Sequence, residues 1–360
     1  MEQPTNKVKG QSAARLMQLD ALRGLAAVAV VVYHYTVFAP MSGVQAAGFH
    51  DGKYGVHLFF MISGFVILMS ASRQSSSTRF LWGRFARLYP AYWVALLLSV
   101  AAVLVSGLVP ERPLSLGVVI ANVTMLQTAW DVPNVNSSFW TLYIELLFYL
   151  CVALTLAIRR IQWLPWAMAA VVLFDTLAVF PQAWDRVPGW WKLPLYFPLL
   201  RHLYLFTFGV WVYQARTRWS AMLPVVAMLC LLNAYGRGVE LYPLAIIASL
   251  GLVLYAASSG WLVWLENRWL IWLGTISYSL YLVHENVGYA IVRTATKHGW
   301  PLWSGQWLAA LVSVLVAVVV TYSVEKPAHR ILRRWGASHN HSDEVFTSMV
   351  EQRNAKRVVL

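Results

Sequence analysis

Charged side chains are scarce in this chain. They make up 12% of its 360 residues, against about 25% in a typical soluble domain. Hydrophobic residues fill the difference at 59%, more than a soluble core of this length needs, so the excess has to face lipid. Acidic residues are the rarer sign, 15 against 28 basic, which leaves a net charge of +13. In a soluble protein that balance would suggest nucleic acid. Here the basic residues fall in short clusters between apolar runs, without the basic stripe or fold motif of a nucleic-acid reader, so no nucleic-acid partner is expected. Cysteine is nearly missing. Cys151 and Cys230 both lie in apolar runs, and neither a disulfide framework nor a metal cluster is indicated. A cleavable signal peptide is not expected either, because the first fifteen residues are polar and basic and the next apolar run is long and internally charged.

What the chain does have is apolar runs of membrane length. About 20 residues cross the hydrocarbon as a helix, and ten such runs can be read: 17–38, 55–72, 91–109, 138–158, 163–180, 196–214, 221–236, 241–258, 269–292 and 304–324. Unpaired peptide groups in lipid cost too much for these runs to be anything but helices. The expected fold is therefore all-α, a polytopic transmembrane bundle of about ten spans. The 19 Trp and 17 Tyr suit a protein anchored at two membrane–water interfaces.

Orientation follows from Lys and Arg in the short loops. One side would hold Lys7, Lys9 and Arg15; Arg73, Arg79, Arg84 and Arg87; Arg159 and Arg160; Arg216 and Arg218; Arg268; and Lys326, Arg330, Arg333 and Arg334. The other would hold Lys53, Arg112, Arg186, Lys192, Arg237 and Lys297. Both termini are then cytoplasmic, in a bacterial inner membrane. The domains expected are a cytoplasmic segment 1–16, a membrane domain 17–335 and a polar, disordered cytoplasmic tail 336–360.

Ionisable groups inside spans are costly and so are functional hypotheses by default. In the first span Arg23 and His34 are eleven residues apart, which places them on one helix face about 16 Å apart along the axis. Asp20 can pair with Arg23 at i, i+3. An imidazole suits proton transfer because its reference pKa lies near neutrality. The plainer alternative is a hydrogen-bonded interface residue. In the fourth span Thr141, Glu145 and Tyr149 share a face, and in the ninth Ser277, Tyr281 and His284 do. Counted from the span boundaries, His34, Glu145 and His284 come out at similar depth. Interhelical hydrogen bonds that only fix the bundle would also explain them. Residues 79–90 read as a loop between the second and third spans, where Arg84 and Arg87 could hold a phosphorylated ligand or simply mark the positive-inside face.

Together these segments resemble the acyltransferase-3 family of integral membrane acyltransferases. The resemblance rests on Arg23 and His34 within LDALRGLAAVAVVVYHY, on Gly55 through Phe65, and on Arg84, Arg87 and Pro90. It continues through Trp140, Glu145, Phe148 and Tyr149, then Leu273 through His284, and closes with Glu325-Lys326-Pro327. His57 departs from it, standing where an acidic residue is usual.

The resemblance implies transfer of an acyl group, acetyl first, from cytoplasmic acetyl-CoA or another acyl-CoA, with no permanently bound cofactor. The acceptor would be a hydroxyl of a carbohydrate or lipid-linked glycan, with macrolide-type small molecules also within reach. No hydrolase-like extracytoplasmic domain of the kind some members append is expected, so transfer would be completed within the membrane portion or by a partner. His34 would act as general base or transient acyl carrier, and Glu145 would orient it or bind the sugar. Arg23, Arg84 and Arg87 would bind the CoA phosphates. Tyr281, His284 and Trp140 would bind the acceptor or stabilise the oxyanion. The rival class is a proton-coupled transporter, which would use the same buried groups but commonly shows inverted repeats. The chain shows no convincing internal duplication.

Overall fold

The computed structural model describes residues 4–38, 48–74, 76–107, 114–179, 197–217 and 219–335. Arg112, Arg186, Lys192, Arg218 and the tail 336–360 lie outside the described residues, as do the side chains of Lys7, Lys9 and Arg15.

Eleven α-helices and short 3-10 and π turns make up the described chain, with no strand among the described residues. They are α1 (Pro4–Tyr33), α2 (Gly55–Ala71), α3 (Ser77–Ser106), α4 (Leu116–Val123), α5 (Trp140–Ala157), α6 (Leu164–Val179), α7 (Leu203–Thr217), α8 (Leu223–Gly236), α9 (Leu241–Ser258), α10 (Arg268–Lys297) and α11 (Leu302–Val320). Every predicted run has a helix on it, and α4 is an addition. Six helical stretches are long and apolar enough to cross a membrane: His50–Ala71, Ser77–Ser106, Ser137–Ala157, Ile161–Val179, Leu241–Ser258 and Leu302–Trp335. Their outer faces present Leu97, Leu104, Leu252, Leu311 and Val319, a display that water would not tolerate over so much surface. Exposed tryptophans collect at helix ends: Trp163, Trp219, Trp261, Trp264 and Trp269 at one end, Trp300 and Trp303 at the other. That is the interfacial belt of a multi-pass membrane protein.

Four of the ten runs are not among these stretches. α7 and α8 are only 15 and 14 residues long. α1 and α10 are long enough at 30 residues each, but α1 carries Asp20 and Arg23 and α10 is buried along its middle. Every residue from Ile276 to Asn286 is buried, so its polar groups face protein and its sequence need not be apolar.

The reading of residues 79–90 as a loop is corrected. They form the first turns of α3, with Pro90 inside the helix. Ser76 caps the start by accepting a hydrogen bond from the Arg79 N–H at 3.3 Å. Pro90 removes one ladder hydrogen bond and is fully packed, an arrangement membrane helices accept when neighbours cover the gap. The aromatic residues between the arginines form a stacked face: Trp82 on Phe85 at 5.4 Å and Phe85 on Tyr89 at 4.5 Å. The Trp82 indole also donates to the Leu332 carbonyl.

Two close helix contacts set the frame of the site. Along α1 and α10, a Cβ on Gly24 would lie 2.6 Å from the Gly274 nitrogen, and one on Gly274 would lie 2.0 Å from the Asp20 carbonyl oxygen. Only glycines let these backbones approach so closely. Gly64 and Gly209 do the same between α2 and α7. Asp175 is buried and pairs with Arg237, and Asn233 also donates to it at 2.7 Å. These contacts tie α6 to α8.

Candidate active site

His34 and Arg23 reach the same interior through α1, but they serve different places. His34 begins a π-helical turn, His34–Phe38, that continues α1. Its Nδ1 lies 2.9 Å from the Val30 carbonyl oxygen and 3.1 Å from Nε2 of His284. The two rings meet edge to face, with centroids 4.8 Å apart. Gly24 and Gly274 are 250 positions apart, and so are His34 and His284. The constant offset means that α1 and α10 run parallel and in register, so the glycine contact delivers one histidine to the other.

His284 is fully buried. Its Nδ1 lies 2.8 Å from the Tyr281 carbonyl oxygen, and its own carbonyl accepts from the Tyr35 hydroxyl at 2.6 Å. Tyr35 is seated against Gly288 and lies 2.7 Å from Ser313 Oγ on α11. Both ring nitrogens of His284 are therefore engaged inside the protein. Its expected place is that of an acceptor-binding or oxyanion group; in this arrangement both nitrogens face protein groups and the residue does not line the cavity beyond Tyr281.

A narrow cavity opens on the other side of Tyr281. Arg23, Phe59, Ser63, Thr141, Glu145 and Tyr278 are among the residues lining it with Tyr281, and it offers about 60 Å³ to the centre of a water molecule. Glu145 accepts from the hydroxyls of Ser63 at 2.8 Å and Tyr149 at 2.6 Å. Tyr281 and Thr141 place their hydroxyl oxygens 2.9 Å apart, and both reach the Ser138 carbonyl. The Tyr281 ring is 5.8 Å from that of His284, so Tyr281 is the wall shared by the cavity and the histidine pair.

The expected common depth of His34, Glu145 and His284 holds only for the histidines. α5 and α10 are antiparallel, with Thr141 opposite Tyr281 and Ser138 opposite Glu285. Glu145 is then opposite residue 277, about 10 Å from His284 along the helix at 1.5 Å per residue. Boundary counting failed because the helices do not begin at one common plane. The orienting contact on His34 comes from His284, while Glu145 belongs to the level of Arg23.

The arginine end is crowded. Arg23 lies within electrostatic reach of Arg87, Asp20, Glu145 and Glu325, and Arg84 of Arg87 and Glu145. Arg84 donates to Ser70 Oγ at 2.7 Å and lies over the rings of Phe80 and Tyr149. Its Nε is buried without a hydrogen-bond partner, an expensive condition that a bound anion would relieve. Trp140 stands apart from the cavity lining, against Phe60 and His202, with ring centroids at 6.1 Å and 5.0 Å.

Sequence reasoning assigned no role to two carboxylates that the structure buries in contacts. Glu285 is buried and accepts from the Ser138 N–H and hydroxyl and from the Ser137 hydroxyl, fixing the start of α5 against α10. Glu325 ends a second π turn, Thr321–Glu325, and accepts from Ser279 at 2.8 Å. The signal for both was present, since each is an acid inside or beside an apolar run.

A family model described as an acyltransferase domain matches residues 17–325. Among curated proteins, the chain is 29% identical to acyltransferase MdmB of Streptomyces mycarofaciens, across 89% of this chain and 93% of that one. It is 25% identical to nodulation protein 10 of Rhizobium leguminosarum bv. viciae, across 91% and 96%. It is also 26% identical to the exopolysaccharide production protein ExoZ of Rhizobium meliloti, across 79% and 91%. No solved structure matches.

Proposed function

From the premise that this chain belongs to the acyltransferase-3 family and is a membrane acyltransferase, we propose that it moves acetyl from cytoplasmic acetyl-CoA onto a hydroxyl of an envelope or exported carbohydrate. The observation that carries the reading is the His34–His284 contact, one helical turn beyond a cavity lined by Arg23 and Glu145, with Arg87 and Arg84 within electrostatic reach of these two groups. Arg23, Arg84 and Arg87 bind the phosphates of the donor. The thioester extends along the α1 face past Tyr281. His34 takes the proton from the acceptor hydroxyl as its oxygen attacks the thioester carbonyl. The C–S bond then breaks, and the CoA thiolate recovers that proton from His34, which returns to neutral. The products are the ester and free CoA.

The carbohydrate acceptor is favoured by the likeness to an exopolysaccharide production protein, and a bacterial inner-membrane location follows from such an acceptor. The test is purified protein supplied with labelled acetyl-CoA, followed by mass comparison of surface glycans from cells with and without the protein. Acceptor-dependent release of CoA and loss of acetyl-sized mass from the glycans are expected. Movement of a solute without CoA release would overturn the reading in favour of a transporter.

A further inference from the structure

We propose that His284 is a positioning residue for the transfer: it fixes the tautomer and ring plane of His34 and shares the charge that His34 gains as base. The proposal rests on the reading of His34 as that base.

The argument starts from what a carbonyl can do, which is only accept. Nδ1 of His284, 2.8 Å from the Tyr281 oxygen, must therefore carry the hydrogen, and in a neutral ring Nε2 then holds the lone pair. Nδ1 of His34 faces that lone pair at 3.1 Å and the Val30 oxygen at 2.9 Å, so it too carries its hydrogen. Three contacts agree on a single pattern of protons. The basic nitrogen of His34 is Nε2.

The same pattern has a consequence during transfer. When Nε2 accepts the acceptor's proton, His34 becomes an imidazolium and its Nδ1–H becomes a charged donor. Hydrogen bonds of that kind are about twice as strong as neutral ones, and His284 Nε2 is in place to receive this one. No reorganisation is needed at that moment, because His284 is already held from several sides. Tyr35 bonds its carbonyl at 2.6 Å, and Asn136 bonds the Leu282 carbonyl at 3.3 Å. His284 is buried and does not line the cavity. It acts through His34 and not on substrate.

The test compares His284→Leu with His284→Gln in the full-length purified protein, with His34→Ala alongside. Leu fills the space without an acceptor, whereas the Gln side-chain carbonyl can still accept from Nδ1. In the Leu variant kcat should fall about tenfold or more, the scale of one lost charge-assisted hydrogen bond, with KM for acetyl-CoA and for the acceptor unchanged. The Gln variant should recover most of kcat. A Leu variant with wild-type kcat, or Leu and Gln equally impaired in folded protein, would overturn the proposal. If Leu fails to yield folded protein, His284→Met takes its place with the same expected outcomes. Transfer retained by His34→Ala would instead bring down the underlying reading of His34, so the two failures are distinguishable.

Discussion

Arg84 is a guanidinium with one arm committed, one face covered by aromatic rings and a buried Nε without a partner. A bound phosphate would complete it, because planar N–H pairs match phosphate oxygens. Arg84→Ala and Arg87→Ala should each raise KM for acetyl-CoA, by about tenfold, and leave KM for the acceptor unchanged in steady-state kinetics. Arg84→Lys should recover little of the loss, since an ammonium cannot replace the fork. An unaltered donor KM would return both residues to the role of topology signals. At this scale the sequence was legible wherever helical spacing alone decides. Arg23 and His34 do share a face of one helix, and Thr141, Glu145 and Tyr149 do share another. It was not legible where the partner lies elsewhere in the chain. His34 and His284 were each visible, but nothing in either segment announces an offset of 250 residues.

Glycine contacts and changes of helical pitch set that offset at the scale of elements. The α1–α10 approach leaves no space for a Cβ at Gly274, which would lie 2.0 Å from the Asp20 oxygen. Gly274→Ala must push the helices apart and so misplace His34 against His284. A displacement of about 1 Å in a reacting constellation costs on the order of a hundredfold in rate. The prediction is a loss of that order in kcat for Gly274→Ala. Gly117→Ala, where the nearest atom is 3.8 Å away, should keep wild-type kcat. Equal activity in the two variants would contradict the account of how the histidines meet. Two π turns, His34–Phe38 and Thr321–Glu325, carry His34 and Glu325. Extra backbone pitch of this kind gathers at functional sites, and hydrophobic periodicity does not reveal it. The same blindness turned the opening of α3 into an expected loop, because Pro90 and three arginines look like punctuation until neighbouring helices cover them.

The whole molecule divides its polar groups by purpose. Asp175, Asn233 and Arg237 tie α6 to α8, which pack on each other and on α7, while the histidine pair is held by α1, α10 and α11. Asp175→Ala should therefore lower the melting temperature in detergent by several degrees, because it leaves Arg237 without its counter-charge, while kcat of the folded fraction stays at the wild-type value. A fall in kcat with unchanged melting temperature would place Asp175 in the reaction after all. At this scale composition was a reliable guide to a helical membrane bundle, since so much apolar sequence has no other use. It also found α10, read as the run 269–292, whose polar content reflects burial at the centre. The central claim, that acyl transfer runs through the imidazole of His34, is tested most directly with labelled acetyl-CoA and acceptor on purified wild-type protein and His34→Ala at matched folding. The account predicts acceptor-dependent CoA release by the wild type and its loss in the variant. Transfer at an undiminished rate in His34→Ala would contradict it.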